Sequence, residues 1–185
     1  MLFLNIDGNK TNFDAFAVDV HRMEHKFSII GLAETNIDPE NKDLYFLDDY
    51  TSFYQDPYPC KNKGTGVALY IHNSLNATLE SHLSHTSQNL ETLFITFSYN
   101  SHPTTVGVVY RPPNGNFDEY LNELKLTFEK CQSSQNMYIM GDFNVDLHKQ
   151  DSQKARHEEL LLTSGIFSPD LRKHTLFTKQ KRNMY

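Results

Sequence analysis

The sequence predicts a mixed α/β fold in which strands outnumber helices and the helices cover the sheets. Three observations support this prediction. Short apolar and β-branched runs recur along the chain, amphipathic helical stripes occur at three separated places, and several successive strands are joined by short turns. A strict alternation of strand and helix would instead predict a parallel barrel, so the pattern favours mixed sheets.

The composition is that of a globular protein with no membrane segment. At 185 residues the chain is most simply one domain, residues 1–185. The net charge of −6 does not by itself indicate nucleic-acid binding. Cys60 and Cys131 are the only cysteines, which favours a reducing, intracellular compartment. No apolar run approaches the roughly 20 residues that span a bilayer, so we expect no membrane partner, and we expect a monomer.

The N-terminal elements are a strand, a helix and a second strand. Leu2–Ile6 reads as the first strand and ends before Gly8. Thr11 or Asn12 is the predicted N-cap of the first helix. Phe27–Leu32 is an apolar run typical of a buried strand. The helix has an apolar stripe at 3.6-residue spacing, made of Phe13, Phe16, Ala17, Val20 and Met23.

The middle of the chain is rich in short strands. Residues 36–64 are polar and contain several prolines, so they predict long loops around one short strand, Ser52–Gln55. Four β-rich runs follow, separated by Asn, Ser, Gly and Pro. They are Thr65–His72, Ala77–Leu83, Thr92–Ser98 and Thr104–Tyr110.

Two more helices enclose the last predicted strand. Asn116 and Glu119 resemble a capping box and open the second helix. Met137–Gly141 is the strand, and a third helix covers about Lys154–Ser164 before Gly165 ends it. The apolar stripe of the second helix contains Phe117, Tyr120, Leu121, Leu124, Phe128 and Cys131.

Polar side chains stand repeatedly where a predicted strand ends. Asn5 ends the first strand, Glu34 follows the second, and Tyr110 ends a later one. Asp142 and Asn144 follow the last strand. Polar residues gathered at one end of buried sheets form a convergent cleft, which is where sites are usually built.

The segment Met137–Asn144 is the most informative of these strand ends. An apolar run ends in a glycine, and an acid and an amide follow with one aromatic between them. If the backbone stays extended, the side chains of Asp142 and Asn144 share one face while Phe143 points into the core. The alternative is a turn formed by the acid and the amide, since both residue types favour turns.

The other candidate residues also have structural interpretations. Glu34 taken alone reads as an exposed loop acid, and Tyr110 or Asn5 as a satisfied core residue. Arg111 either meets a phosphate or caps a surface. The basic segment of residues 172–182 either binds a nucleic-acid backbone or is solvated, and solvation is the commoner case.

Taken in order, the motifs resemble one family. LNI with Asn5, GLAET with Glu34, VVYRPPN with Tyr110 and MGDFN with Asp142 and Asn144 are similar to the endonuclease/exonuclease/phosphatase superfamily. The spacing most resembles the apurinic/apyrimidinic-type endonuclease domain of non-LTR (LINE-type) retrotransposons, from residue 2 to about residue 180. The resemblance implies a four-layered α/β sandwich, two packed mixed β-sheets flanked by helices.

The resemblance also implies an activity and a role for each residue. The activity is metal-dependent cleavage of DNA phosphodiester bonds, with Mg²⁺ or Mn²⁺ as cofactor and an activated water as nucleophile. Glu34 would be the principal metal ligand and Asn5 would assist at the metal. Tyr110 and Asn144 would contact the phosphate, and Asp142 would orient or deprotonate the water.

The C-terminal segment departs from the family pattern. Thr178 is the predicted substrate-binding threonine, with Thr175 as the alternative, but the 185 residues contain no Ser-Asp-His. We therefore expect a domain whose last strands are missing and whose activity the sequence leaves open. The alternatives are a non-catalytic remnant that binds metal or nucleic acid, or a phosphoesterase with another substrate. A retrotransposon origin implies a reverse transcriptase domain in the same polyprotein and a nuclear site of action.

Overall fold

The computed structural model describes residues 1–56, 58, 64–131, 136–146 and 151–166, and the backbone of residues 176–180. The strands described form two sheets. The first sheet has four strands, in the order β1-β2-β4-β3. These are β1 (Leu2–Asn5), β2 (Ile29–Ala33), β3 (Tyr50–Gln55) and β4 (Val67–His72).

The second sheet contains six of the described strands. These are β5 (Thr78–Leu79), β6 (His85–Thr86), β7 (Glu91–Tyr99), β8 (His102–Tyr110), β9 (Asn136–Asp142) and β10 (Leu176–Gln180). The order is β10-β9-β8-β7-β5, and β6 also pairs with β7. Strands β1 and β2 are parallel, as are β8 and β9, whereas the other pairs are antiparallel. The prediction of mixed sheets is therefore confirmed.

Three helices complete a four-layered sandwich. They are α1 (Asn9–Arg22), α2 (Phe117–Lys130) and α3 (Ser152–Thr163). A core cluster that contains side chains of β2, β4, β7 and β8 lies between the sheets. Helix α1 packs on the first sheet, and α2 and α3 pack on the second. Within the described residues, no helix is long and apolar enough to cross a membrane.

Helix α1 begins earlier than the sequence predicts. Gly8, with φ of 94°, is the N-cap, and Asn9 is the first helical residue. The prediction of Thr11 or Asn12 as the cap is wrong, because the Asn12 side chain instead donates to two backbone carbonyls of the β1–α1 loop at 2.8 and 3.1 Å. Met23 has left the helix and is 38% exposed, so it does not belong to the buried stripe.

Two segments between the helices also differ from the prediction. Only the pair in β5 is extended within the predicted strand Ala77–Leu83, because the chain turns there and the N–H of Leu83 donates to the carbonyl of Glu80 at 3.0 Å. A short 3-10 helix, Pro39–Leu44, lies in the predicted loop region. The side chain of Asp38 caps it by accepting a backbone hydrogen bond at 3.1 Å.

Helix α2 begins where the capping pattern predicts. The side chain of Asn116 accepts from the backbone N–H groups of Asp118 and Glu119 at 2.9 and 3.2 Å. Capping of this kind satisfies N–H groups that have no partner within the helix. The predicted apolar stripe is buried against the second sheet, at Tyr120, Leu121, Leu124 and Phe128.

The carboxyl ends of both parallel strand pairs face the same end of the sandwich. The ends of β1 and β2 in the first sheet meet the ends of β8 and β9 in the second, because a hydrogen bond joins Asn5 to Asp142. Strands β4 and β7 are antiparallel to their neighbours and begin at this end. Strand β3 ends beside the start of β4, so seven of the described strands present a terminus to one region.

A buried histidine beneath this end makes folding sensitive to acid. His157 on α3 is 2% exposed, its Nδ1 lies 3.0 Å from the Tyr120 hydroxyl, and its ring packs on Phe143. Burial, with a smaller contribution from Arg111, lowers the pKa of His157 to about 4. The neutral imidazole is thus the form that the fold stabilises.

The sign of the pH dependence follows from this lowered pKa. The unfolded chain takes up a proton at about pH 6.5. The contribution of His157 is therefore present above pH 6.5 and is lost as the pH falls towards 4. We expect the free energy of unfolding of the wild type to fall by about 2 kcal/mol more than that of His157→Gln between pH 7 and 4.5. Urea unfolding of both proteins at the two pH values measures this, and equal losses would refute the assignment.

Candidate active site

Three hydrogen bonds link four of the residues that the sequence predicts for the site. Nδ2 of Asn5 donates to Oε1 of Glu34 at 2.7 Å and to Oδ2 of Asp142 at 3.3 Å. The Tyr110 hydroxyl donates to the same Glu34 oxygen at 3.0 Å. Residues separated by up to 137 positions in sequence are thus joined through Asn5 and Glu34.

The backbone around the site contains several left-handed residues. Glu34 has φ of 54°, Asp7 of 49°, Asn36 of 48° and Asn144 of 46°. Asn and Asp tolerate this conformation, whereas Glu rarely adopts it. The carbonyl of Glu34 accepts from the N–H of Gly8 at 2.8 Å, which fixes the turn after β2. Such conformations persist where surrounding contacts enforce them, and they concentrate at functional sites.

Tyr110 is a buried tyrosine whose hydroxyl is used within the site. The residue is fully buried at the end of β8. Burial raises the pKa of Tyr110 well above its usual value, and the neighbouring Glu34 carboxylate raises it further. The hydroxyl therefore stays protonated at any physiological pH and acts as a hydrogen-bond donor.

The end of β9 turns instead of staying extended. Strand β9 ends at Asp142, and Asn144 is left-handed, so the expectation that their side chains share one face is wrong. The N–H of Asn144 donates to Oδ1 of Asp142 at 3.0 Å, and Nδ2 of Asn144 donates to the carbonyl of Arg111 at 2.7 Å. That carbonyl belongs to the loop after the neighbouring parallel strand, a partner that local sequence does not reveal. Phe143 is buried in the core, as predicted.

Glu91 is a residue near the site that the sequence analysis missed. It begins β7, is fully buried, and accepts from the backbone N–H groups of Gly66 and Tyr58 at 2.6 and 3.3 Å. Burial raises the pKa of Glu91 to about 7, opposed by these two hydrogen bonds and reinforced by the charge of Glu34. An acid that opens an otherwise apolar strand was the signal available in the sequence.

Asn36 holds the other side of the same loop against Glu34. Its Oδ1 accepts from the backbone N–H of Gly64 at 2.8 Å and from that of Thr65 at 3.1 Å. Gly64 then lies so near the site that a Cβ there would stand 3.1 Å from Oε2 of Glu34. A side chain at this position would crowd the carboxylate, so the glycine keeps access to it open.

A cleft of about 250 Å³ opens beside these carboxylates. Glu34 and Tyr110 lie on its inner side, and the loop of residues 112–115 and the segments around Gly64 and Ser87 form its walls. Glu123 of α2 accepts from Oγ of Ser87 at 2.6 Å and so ties one wall to the helix layer. The walls come from several loops that rigid elements position, as binding clefts commonly do.

The donor set fits a hard divalent cation. Glu34 and Asp142 supply carboxylate oxygens, the ligands that Mg²⁺ prefers. Asn5 presents its amide nitrogen to both carboxylates, while its Oδ1 accepts from the N–H of Asp7 at 3.1 Å. No group of three or more His, Cys, Asp or Glu side chains is placed to hold a metal among the residues that the structure describes. Further coordination positions would fall to water or substrate phosphate, as is usual for Mg²⁺.

The predicted threonine is not brought into the site by any described contact. Thr178 lies on β10 opposite Tyr138, and its side chain is outside the described part of the structure. Thr175 also lies outside the described residues, as do most of the basic residues of segment 172–182. The assignment of Thr178 to substrate binding therefore stays a prediction.

A family model decides how this arrangement is classified. The model of the endonuclease/exonuclease/phosphatase family matches residues 2–180. The chain belongs to this family. The match covers both sheets and every predicted site residue, so the resemblance inferred from the motifs is confirmed.

Solved structures support the family fold. The endonuclease domain of TRAS1, a telomere-specific non-LTR retrotransposon, is 12% identical, with a TM-score of 0.71 over 97% of this chain and 84% of that one. The AP endonuclease LMAP from Leishmania major is 15% identical, with a TM-score of 0.64 over 96% of this chain and 78% of that one.

A third solved structure extends the range of activities within the fold. The 3′ phosphatase NExo from Neisseria, bound to a product DNA hairpin, is 10% identical, with a TM-score of 0.59 over 96% of this chain and 85% of that one. None of the curated proteins compared with the chain matches it in sequence. At these identities, the likeness establishes the fold of the endonuclease/exonuclease/phosphatase family and leaves the substrate open.

Proposed function

We propose that this chain is a divalent-metal-dependent phosphodiesterase domain that nicks DNA, in the manner of a retrotransposon endonuclease. The observation that carries the proposal is the hydrogen-bonded set of Asn5, Glu34, Tyr110 and Asp142 at the mouth between the two sheets. Family membership and the likeness to the TRAS1 endonuclease domain support it. Hydrolysis of a phosphodiester needs an activated water and compensation of negative charge, and these side chains can contribute to both.

Glu34 is the proposed principal metal ligand. A Mg²⁺ or Mn²⁺ ion would supply a Lewis acid that lowers the pKa of a water and neutralises charge on the phosphate. Asn5 donates through Nδ2 to both carboxylates, so it sets the relative orientation of Glu34 and Asp142 beside the proposed ion. The left-handed turn at Glu34 and its bond to Gly8 hold that carboxylate in place.

Asp142 and Tyr110 are the proposed groups for the water and the phosphate. The half-buried Asp142 carboxylate orients or deprotonates the attacking water. The protonated Tyr110 hydroxyl donates to Glu34 at 3.0 Å, and its one hydrogen would turn to a phosphate oxygen brought beside that carboxylate by the ion. Asn144 is the remaining predicted phosphate donor, and its Nδ2 also donates to the carbonyl of Arg111.

Plasmid nicking with a matched pair of aspartate variants tests the role of Asp142. Removal of a proton-transferring group typically lowers a rate by about 10²–10⁴-fold, so we expect Asp142→Asn to slow Mg²⁺-dependent nicking of supercoiled plasmid by that factor. Asp43→Asn, in the exposed 3-10 helix, is the control and should leave the rate unchanged. Equal rates for wild type and Asp142→Asn would remove Asp142 from the mechanism.

A non-catalytic domain of the same fold is the second candidate. Its motivating observation is that Asn5 turns its amide nitrogen, and not its oxygen, toward both carboxylates. Such a domain would bind Mn²⁺ or DNA without turnover. Sustained nicking by the purified chain would eliminate this candidate. Binding of Mn²⁺ or DNA with no nicking during prolonged incubation would favour it.

A phosphoesterase with a different substrate is the third candidate, since the fold of this family includes phosphatases. A panel of plasmid DNA, a 3′-phosphorylated oligonucleotide and a phosphoinositide separates it from a nuclease. The retrotransposon interpretation also implies a monomer that acts on nuclear DNA, encoded with a reverse transcriptase. In-frame codons for Asp, then Ser-Asp-His, then a reverse transcriptase in the gene would support that context.

A further inference from the structure

Arg111 is a buried cation that the proposed chemistry does not use. It directly follows Tyr110 and is only 5% exposed, which is rare for arginine without a charged partner. No carboxylate pairs with it among the ion pairs of the described residues, and its Nε has no hydrogen-bond partner there. Burial of an uncompensated charge is costly, so some feature of the fold must justify it.

Arg111 and Asn144 form a reciprocal pair of side-chain to backbone hydrogen bonds. Nη1 of Arg111 donates to the carbonyl of Asn144 at 2.7 Å, and Nδ2 of Asn144 donates to the carbonyl of Arg111 at 2.7 Å. The N–H of Arg111 also donates to the carbonyl of Asp142 at 2.9 Å. These three bonds, which we term the clamp, join the segments after β8 and β9 beyond their last paired residues.

Two aromatic rings pack against the guanidinium of Arg111. Its central carbon lies 5.1 Å from the ring centre of Phe117 and 5.3 Å from that of Tyr120. Tyr120 is in turn hydrogen bonded to His157, whose ring packs on Phe143. A planar guanidinium can stack and donate in fixed directions, whereas a lysine ammonium cannot do both. Side chains of α2, of α3 and of the turn after β9 therefore hold the guanidinium of the clamp in place.

The clamp acts on the residues that matter for the proposed reaction. It holds Asn144 in its left-handed conformation, and the N–H of Asn144 in turn binds Oδ1 of Asp142 at 3.0 Å. The other Asp142 oxygen is left to face Asn5. One of the two Asn144 amide hydrogens is committed to Arg111, so Asn144 has a structural task that the family pattern alone does not indicate.

We infer that Arg111 is a positioning residue that works through Asn144 to aim the Asp142 carboxylate. In this chain one Asn144 amide hydrogen serves the clamp, so Asn144 helps to hold Asp142 in addition to its predicted contact with the phosphate. The catalytic part of this inference rests on the proposed function. The contact between Arg111 and Asn144 does not, and it can be measured in a protein without activity.

A double-mutant cycle on nicking tests whether the two residues act as one unit. Misplacement of a catalytic group by about 1 Å can cost about 10²-fold, so Arg111→Met and Asn144→Ala should each lower kcat by roughly 10–100-fold with KM for DNA little changed. The double variant should be no slower than the slower single variant. Multiplying losses, or an effect confined to KM, would overturn the inference.

Arg156→Met is the matched control for this cycle. Arg156 also lies over the Phe117 ring, at 5.6 Å, but its side chain is half exposed and pairs with Asp118 instead of entering the clamp. It should nick like the wild type. If Arg111→Met does not fold, Arg111→Gln replaces it in the cycle, because the shorter glutamine stays polar but lacks the guanidinium that reaches Asn144.

A second measurement separates failure of this inference from failure of the proposed function. In the wild type, the one Asn144 side-chain hydrogen that is bonded to the Arg111 carbonyl should exchange slowly with solvent by NMR. Arg111→Met or Arg111→Gln removes the guanidinium that holds the Asn144 carbonyl and should accelerate that exchange at least about tenfold. Loss of protection in a protein that never nicks DNA would support the clamp and reject the nuclease. Protection that is absent in the wild type, or unchanged in the Arg111 variant, would reject the clamp whatever the activity.

Discussion

Replacement of Gly141 by alanine is expected to destabilise the protein by at least about 3 kcal/mol, the upper end of the usual overpacking cost. A Cβ at this position would stand 1.9 Å from the carbonyl oxygen of Val109 and 2.8 Å from its carbon. Both atoms belong to the backbone of the neighbouring parallel strand, so no side-chain rotation can relieve the clash. The strands β8 and β9 would have to separate where Val109 pairs with Gly141, directly before the pair of Tyr110 and Asp142.

Urea unfolding measures this effect against a second alanine substitution in the same sheet. Ser98→Ala, at the exposed end of β7, is the control and should change the free energy of unfolding by less than about 0.5 kcal/mol. Since native domains are stable by only about 5–15 kcal/mol, Gly141→Ala should also lower the yield of folded protein. A Gly141→Ala protein as stable as the control would show that β8 and β9 are not packed as described.

Replacement of Glu34 by glutamine is expected to have the largest effect on function. The change removes one negative charge and leaves the side chain nearly the same size. Loss even of outer residues of metal sites costs about 10–100-fold in affinity, so loss of the proposed principal ligand should weaken Mn²⁺ binding by at least that much. The glutamine oxygen can keep both bonds that Asn5 and Tyr110 donate to Oε1, so the change tests the charge of Glu34 with little disturbance of its neighbours.

Calorimetric titration with Mn²⁺ measures this change in affinity. Glu40→Gln is the control, because Glu40 lies exposed on the 3-10 helix and the variant carries the same change in net charge. A Glu34→Gln protein that binds Mn²⁺ as tightly as Glu40→Gln would show that the ion, if any, binds elsewhere. Tight binding lost only in Glu34→Gln would support the assignment without reference to any substrate.

The sequence predicts that the site residues converge, because each of them follows a recognisable strand. Asn5, Glu34, Tyr110 and Asp142 each follow a run of strand-forming residues, and strand ends gather at one side of a sheet. The order of the motifs then identified the family, and the family implied how the two sheets pack. Composition and periodicity alone had reached only mixed sheets covered by helices.

The parts that could not be predicted depend on contacts between distant segments. Asn144 reads locally as the second residue of an extended pair, but it binds the carbonyl of Arg111 in the loop after the adjoining strand. The sequence analysis assigned Glu91 no role, yet it is fully buried and accepts from backbone N–H groups of a loop 25 and 33 residues away. Neither partner can be found by spacing along the chain.

The predicted start of helix α1 was wrong for a different reason. Several polar residues near each predicted start can serve as a cap, and tertiary contacts choose among them. Asn12 was a reasonable cap for α1, but its side chain binds the β1–α1 loop, and Gly8 takes the cap position with a positive φ. At α2 no such competition exists, and Asn116 caps the helix as expected.

The carboxylates at the mouth between the sheets are proposed to support metal-dependent cleavage of DNA. The most direct measurement follows conversion of supercoiled plasmid to nicked circles by the purified protein in Mg²⁺ and in EDTA, with Glu34→Gln and Glu40→Gln in parallel. We expect nicking by the wild type and Glu40→Gln in Mg²⁺, and none in EDTA or with Glu34→Gln. Nicking that persists in EDTA or in Glu34→Gln, or no nicking by the wild type, would contradict this proposal.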